Sequence, residues 1–282
     1  MKKGKEEVKK KKENKKKKSS FDKSTYFMIL LILLIVLLLL LVFNRHEATT
    51  FKIQNRIKDI ATSQKQDTNK FTTVGWIRVE GTEIDHPIIV DKTAEFTELP
   101  NQETYSWMNT TETVQTNNMT VNGHNYLNLS STPKKSSKDF VRFESLMSFV
   151  YYDFAKDNQF VQLTINNKDY LYQIFAVTFM YNADYNRLPL KEISKTEQQK
   201  FIDLLNEKTI YKYDIKVDSS DKILNVVTCT RMFGEDGRTN FVVSAKLVPN
   251  KTRTKNKVTK TKEYEVVENK MMGGGKNEIE EG

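Results

Sequence analysis

The spacing of hydrophobic positions changes along the chain, and each change marks a different kind of element. Phe27 to Phe43 is an unbroken apolar run of seventeen residues; with Tyr26 and its polar flanks it approaches the roughly 20 residues a helix needs to cross a bilayer. It predicts a membrane-spanning helix. Between Thr50 and Gln64, Phe51, Ile53, Ile57 and Ile60 recur at near-helical spacing among polar residues, the pattern of an amphipathic helix laid against a folded domain. From Phe71 onward the period shortens towards two. Val74 to Glu80 and Ile84 to Val90 flank Gly81-Thr82, and Phe160 to Ile165 alternates before an Asn166-Asn167 turn into Tyr170 to Tyr181, which predicts two strand pairs, the second a hairpin. Leu224 to Cys229 and Phe241 to Val248 form a further predicted pair, joined by a loop that holds Gly234 and Asp236-Gly237.

Two helical patterns interrupt the strands. Phe143, Leu146, Met147 and Val150 line one side of Phe140 to Phe154, and Ile193, Phe201, Leu204 and Leu205 line one side of Leu190 to Lys208. The second lies ahead of the cysteine-bearing strand, where a minimal barrel needs only a loop, so it reads as an insertion. Many short strands with few long helices predict a mainly β fold, barrel or sandwich. The resulting division is a basic tail (1–25), a transmembrane anchor (26–43), a helical lead (44–70), one domain (71–248) of a size that buries a good core, and an end (249–282). That end, with its Gly273-Gly274-Gly275 run and no sustained apolar period, is expected to be disordered.

Charge then orients the chain. The full sequence has 282 residues and a net charge of +9, but residues 1–25 alone carry twelve lysines against four acidic residues, a net of +8. The positive-inside rule keeps that tail in the cytoplasm and exports the rest, giving a single-pass plasma-membrane protein with an extracellular domain. A small-residue cleavage site is absent from Asn44-Arg45-His46-Glu47, which favours an uncleaved anchor over a signal peptide. Residues 26–248 sum to about −1, so the basic character belongs to the tail. It points to anionic membrane lipid as a partner and not to nucleic acid.

The candidate chemistry centres on Cys229, the only cysteine in the chain. An exported lone cysteine cannot close an intramolecular disulfide, so it is buried and inert, paired with another molecule, or kept as a reactive thiol. Its apolar strand neighbours suit the inert reading. A nearby fixed charge suits the reactive one: Arg238, just ahead of Phe241, would lie across the hairpin from Cys229 and favour thiolate or hold an oxyanion. Arg231 is nearer in sequence but lies past the strand end. Of the three histidines, His124 follows a short strand beside Gly123, where a strand end presents a side chain to a cleft; His86 precedes Pro87 within a strand, and His46 abuts the membrane run. A zinc site would need further ligands that the sequence does not supply, so no metal and no cofactor are expected.

Gly123-His124-Asn125, then Val227-Thr228-Cys229, then Asp236-Gly237-Arg238 before Phe241-Val242-Val243-Ser244 resemble, in order and character, the His, Cys, Arg constellation of sortases, the cysteine transpeptidases of Gram-positive cell surfaces. Gly75-Trp76-Ile77 and Gly81-Thr82-Glu83-Ile84-Asp85-His86-Pro87 resemble the first two strands of that fold. The resemblance spans roughly residues 50–248, and the N-terminal helix with the long inserted helix is similar to class B members. Two departures stand out: Asn225-Val226-Val227-Thr228-Cys229 replaces the common Thr-Leu-x-Thr-Cys, and His86 takes the place of an aromatic residue.

The resemblance implies a closed sortase-like β-barrel with Cys229 as nucleophile, His124 as general acid and base, and Arg238 as oxyanion or carbonyl partner. It implies cleavage after threonine in a C-terminal sorting motif of a secreted protein, NPQTN-like or NPxTG-like, with a thioacyl intermediate resolved by a peptidoglycan-precursor or pilin amine. The alternatives are a pilin-polymerising enzyme, an extracytoplasmic cysteine hydrolase that releases its acyl group to water, and a catalytically idle binding domain with a buried Cys229.

Overall fold

The computed structural model describes residues 22–49, 57–67, 71–91, 106–108, 116–181, 193–234 and 239–273, with the backbone alone over 41–49. The chain divides into two compact units, Met1–Thr50 and Phe51–Gly282. In the first, α1 (Lys23–Thr49) is a continuous helix of 27 residues, about 40 Å long at 1.5 Å per residue. None of its Lys23–Leu40 window is buried. A helix this long and apolar takes lipid as its solvent, so α1 is fit to cross a bilayer as an anchor or a signal sequence.

The second unit is a closed barrel. Its strands are β1 (Phe71–Val79), β2 (Asp85–Asp91), β3 (Ser106–Met108), β4 (Asn118–Asn122), β5 (Phe160–Ile165), β6 (Lys168–Tyr181), β8 (Ile223–Thr230) and β9 (Thr239–Leu247), with β7 (Tyr211–Tyr213) lying outside it. Around the barrel the order is β1-β2-β3-β4-β8-β9-β6-β5, and β5 pairs β1 to close it. Closure gives every barrel strand a neighbour on both sides. The β5–β6 hairpin turns at Asn166 and Asn167, whose φ values of 50° and 57° are the left-handed pair that a two-residue type I′ turn requires. Gly81, at φ 74°, supplies the same freedom between β1 and β2.

A core of aliphatic and aromatic side chains fills the barrel, including Ile77, Leu163, Tyr172, Val226 and Phe241. A second layer covers its outside: α4 (Lys195–Lys208) packs Phe201, Ile202, Leu204 and Leu205 against Phe175, Val227 and Val242. Burial on both faces explains why β8 reads as a continuous apolar run and not as an alternation. Ser194 caps α4 in a capping box with Glu197, so the helix starts at Lys195, inside the expected range; residues 190–192 lie outside the described residues.

Several elements differ from the sequence expectation. The lead helix is described only as α2 (Ile57–Ser63) with a 3-10 turn over Gln64–Gln66. The helix expected at 140–154 is a fully buried 3-10 helix, Phe143–Val150, then a short α3 (Tyr152–Asp157). Phe143, Leu146 and Phe149 recur every three residues and are all buried, which suits three residues per turn better than 3.6. The largest correction concerns the end expected to be disordered. β10 (Val258–Lys260) pairs with β7, and α5 (Lys262–Gly273) follows it. Val258, Tyr264 and Val267 are buried in the main core. Side chains of the barrel hold the intervening backbone: Gln159 binds Asn256 in both directions (2.9 and 2.7 Å), and Gln173 Nε2 donates to Thr254 O (2.6 Å). Such pinning by distant residues leaves no local periodicity to read.

Candidate active site

The parallel pairing of β4 with β8 assembles the site. Asn122 faces Val227, and the Gly123 amide continues the ladder to Val227 O (3.0 Å). His124 and Cys229 are each two residues beyond that aligned pair, on neighbouring chains about 5 Å apart. Thr228 Oγ1 donates to Gly123 O (2.8 Å), which locks the two strands together one residue ahead of His124 and Cys229. This crossing is non-local, because the intervening hundred-odd residues include two of the eight barrel strands, β5 and β6.

Cys229 is half-buried and not part of either core cluster, so the inert-core reading does not describe it. Its Sγ lies 3.7 Å from Asn125 O. Asn125 is buried, and its Nδ2 bridges Cys229 O and Asn128 O, both at 3.0 Å, while its Oδ1 accepts from the Asn128 amide (3.0 Å). One side chain therefore holds the loop after His124 and the strand end at Cys229 in fixed relation. Asn128 extends the network, donating to Lys134 O and Glu144 O at 2.9 Å each.

Aromatic rings flank the half-buried His124. Trp107 of β3 lies 4.6 Å from its ring centroid and Tyr126 lies 5.2 Å from it, both tilted. The Arg142 guanidinium in turn sits 5.5 Å over the Tyr126 ring. Behind the loop, Phe143 packs so tightly on Gly123 that a Cβ there would overlap its ring, which makes glycine a steric requirement at that position. Phe143 N also donates to His124 O (3.0 Å). The imidazole is thus confined by packing.

The sequence pattern does not single out Trp107, Asn125 or Tyr126. Tyr126 had a signal, an exposed aromatic residue two positions from the histidine; Asn125 had none, since its partners are set by the barrel. His86 lies apart from the pair on β2, where its ring stacks on Phe143 (6.4 Å). Burial pushes its pKa down from 6.5 to about 4, against Asp85 and hydrogen bonds to the backbone of Arg142 and Asp85. It is a neutral packing group at neutral pH. His46 is in α1, where side chains lie outside the described residues. Arg238 also lies outside the described residues; β9 opens directly after it at Thr239, opposite Thr230 of β8. Arg231 is exposed and lines a cavity beside the site.

A half-buried thiol and a confined imidazole at one end of a barrel can form and resolve an acyl thioester. Known proteins carry the same architecture. The family model described as the Sortase domain matches residues 77–248. Sortase B of Listeria monocytogenes is 24% identical over 220 residues, covering 73% of this chain and 81% of that protein. The X-ray structure of Clostridium perfringens sortase B superposes with a TM-score of 0.54 at 23% identity, over 67% of this chain and 99% of that one. A Staphylococcus aureus sortase B-substrate complex has a TM-score of 0.53 at 18% identity, over 74% and 90%. The fold is the class B one, with the N-terminal helix and the inserted helix α4 in their expected places.

Proposed function

Because the chain belongs to the sortase family, the cysteine transpeptidases that join sorting-motif proteins to an amine, we propose that it is a membrane-anchored enzyme of the cell surface. It cleaves an NPQTN-like or NPxTG-like motif after threonine and attaches the acyl group to a peptidoglycan amine. The single observation that carries this reading is the adjacency of His124 and Cys229 beyond the locked β4–β8 pair. Eleven lysines ahead of α1, with Lys23 opening it, support a cytoplasmic N-terminus and an extracellular barrel.

In the first half-reaction the Cys229 thiolate attacks the threonine carbonyl, and the carbonyl π pair moves onto oxygen. Arg238 stabilises that oxyanion. Collapse breaks the C–N bond, His124 gives its proton to the departing amine, and a thioester remains on Cys229. In the second half-reaction the acceptor amine attacks the thioester, His124 removes its proton, and the C–S bond breaks to return Cys229 as thiolate beside imidazolium. The peptide bond energy is conserved in the thioester, so the transfer needs no nucleotide.

The test uses the full chain in detergent micelles with NPQTN-type and LPxTG-type fluorogenic peptides, with and without triglycine, and mass spectrometry of the products. A triglycine adduct after threonine, reduced at least about a hundredfold in Cys229→Ala and His124→Ala, supports the transpeptidase. Hydrolysis that added amine never diverts makes the protein a hydrolase; an uncleaved peptide with an alkylation-resistant Cys229 makes it a binding domain.

A further inference from the structure

Next to the reactive pair is a cavity that the chemistry above leaves unused. Its volume is about 590 Å³, and Ser130 and Ser131 from the loop after β4, Arg231, Met232 and Gly234 beyond β8, and Lys270 of α5 form its walls. Both barrel-derived walls lead directly from the site. Ser130 is two residues past Asn128, whose turn Asn125 ties to Cys229 O (3.0 Å). Arg231 is two residues past Cys229 and one past the end of β8, in the run half-buried Cys229, buried Thr230, exposed Arg231. Two residues of chain span at most about 7 Å, so the Arg231 backbone stays close to Cys229.

Among the described residues the lining is chemically one-sided. Arg231 and Lys270 contribute two cations and the serines two hydroxyls, and no Asp or Glu lines the cavity among the described residues. Among those residues neither cation is engaged in an ion pair. A concave wall of one charge sign concentrates anions, and a guanidinium with hydroxyl donors beside it matches a carboxylate. Of the two substrates, the donor motif is uncharged in either NPQTN-like or NPxTG-like form. The amine acceptor is the substrate free to carry a carboxylate close to its reacting nitrogen.

We propose that this cavity is an acceptor subsite that binds a carboxylate borne by the incoming amine, a few residue lengths from the attacking nitrogen. Lys270, which lies beyond the residues 77–248 of the family match, then gives the C-terminal helix a share in choosing the acceptor. The inference rests on the transpeptidase reading and deepens it.

Triglycine and its C-terminal amide have the same attacking amine and differ in the carboxylate alone. With the full chain in detergent micelles at saturating sorting peptide, the kcat/KM for adduct formation is measured with each acceptor. At low ionic strength triglycine is expected to exceed the amide about three- to tenfold, the sum of two solvent-exposed charge contacts, and 0.5 M salt should shrink that ratio towards unity. Lys270→Glu and Arg231→Gln should each lower the ratio, with the amide as internal reference for the rest of the machinery. Equal kcat/KM for the two acceptors in the wild-type protein overturns the subsite, and so does an unchanged ratio in a natively melting Lys270→Glu variant. If neither amine forms an adduct, the transpeptidase reading fails first and takes the subsite with it.

Discussion

At the scale of single residues, the site depends on contacts that leave little tolerance. Gly123 has the Phe143 ring where a Cβ would be, so Gly123→Ala should force apart the loop that carries His124. The expected cost is about 1–3 kcal/mol of stability, read by urea unfolding, together with a fall in peptide cleavage. For Arg238 the expectation comes from chemistry: Arg238→Ala should lower kcat about 10²–10³-fold as an oxyanion donor is lost, and Arg238→Lys should recover little because an ammonium lacks the planar fork. His86 makes a pH prediction. Its folded pKa of about 4 lies below the ordinary 6.5, so the unfolded chain takes up the proton first as pH falls. Stability present above pH 6.5 is therefore lost between about 6.5 and 4, by roughly 1–2 kcal/mol at pH 5 after discounting its exposed edge. His86→Phe should flatten that part of the urea-midpoint profile, and an unaltered profile would assign the acid sensitivity elsewhere. His124 and Cys229 stand out as candidates from sequence because the chain has one cysteine and three histidines, and Arg238 stands out only by its place across the predicted hairpin from Cys229. Asn125 does not, because an asparagine beside a loop is ordinary until the fold brings Cys229 O to its amide.

At the scale of elements, the inserted helix is fastened to the strand that leads to His124. Asn117 Nδ2 donates to Ile193 O (2.7 Å), and its Oδ1 accepts from Ile193 N (3.1 Å). Asn118 donates to Gln198, which is fully buried and reaches Asp221 O at 3.0 Å. Gln198→Leu would leave the Asn118 amide with only its 3.4 Å contact to Asn117 Oδ1 and should cost about 1–3 kcal/mol, measured by denaturant unfolding. Because Asn118 begins β4, cleavage should weaken along with stability. The amphipathic period of α4 and the Asn166-Asn167 hairpin were plain in the sequence, since both are local patterns. β3, β7 and β10 were not: each is three residues long, too short for an alternation, and exists only because a partner strand lies alongside.

At the scale of the whole molecule, the folded unit is larger than the span of its family match. Val258, Tyr264 and Val267 are buried in the barrel's main core, and Tyr152 OH donates to Val258 O (2.9 Å). Ending the chain after Val248 should therefore lower the melting temperature by about 10 °C or more, from the loss of several kcal/mol of burial; a truncated protein that melts like the full chain would make the C-terminal segment an ornament. The sequence alone determined the apolar span and its charge bias, the mainly β class, the hairpin and the reactive residue types, because each is written in local period or composition. The tertiary structure decided which of those residues meet. Only barrel closure sets β4 beside β8, gives Asn125 its partners, confines His124 between Trp107 and Tyr126, and recruits a polar C-terminal segment into the core, since those energies arise between residues far apart in the chain and leave no trace in local spacing.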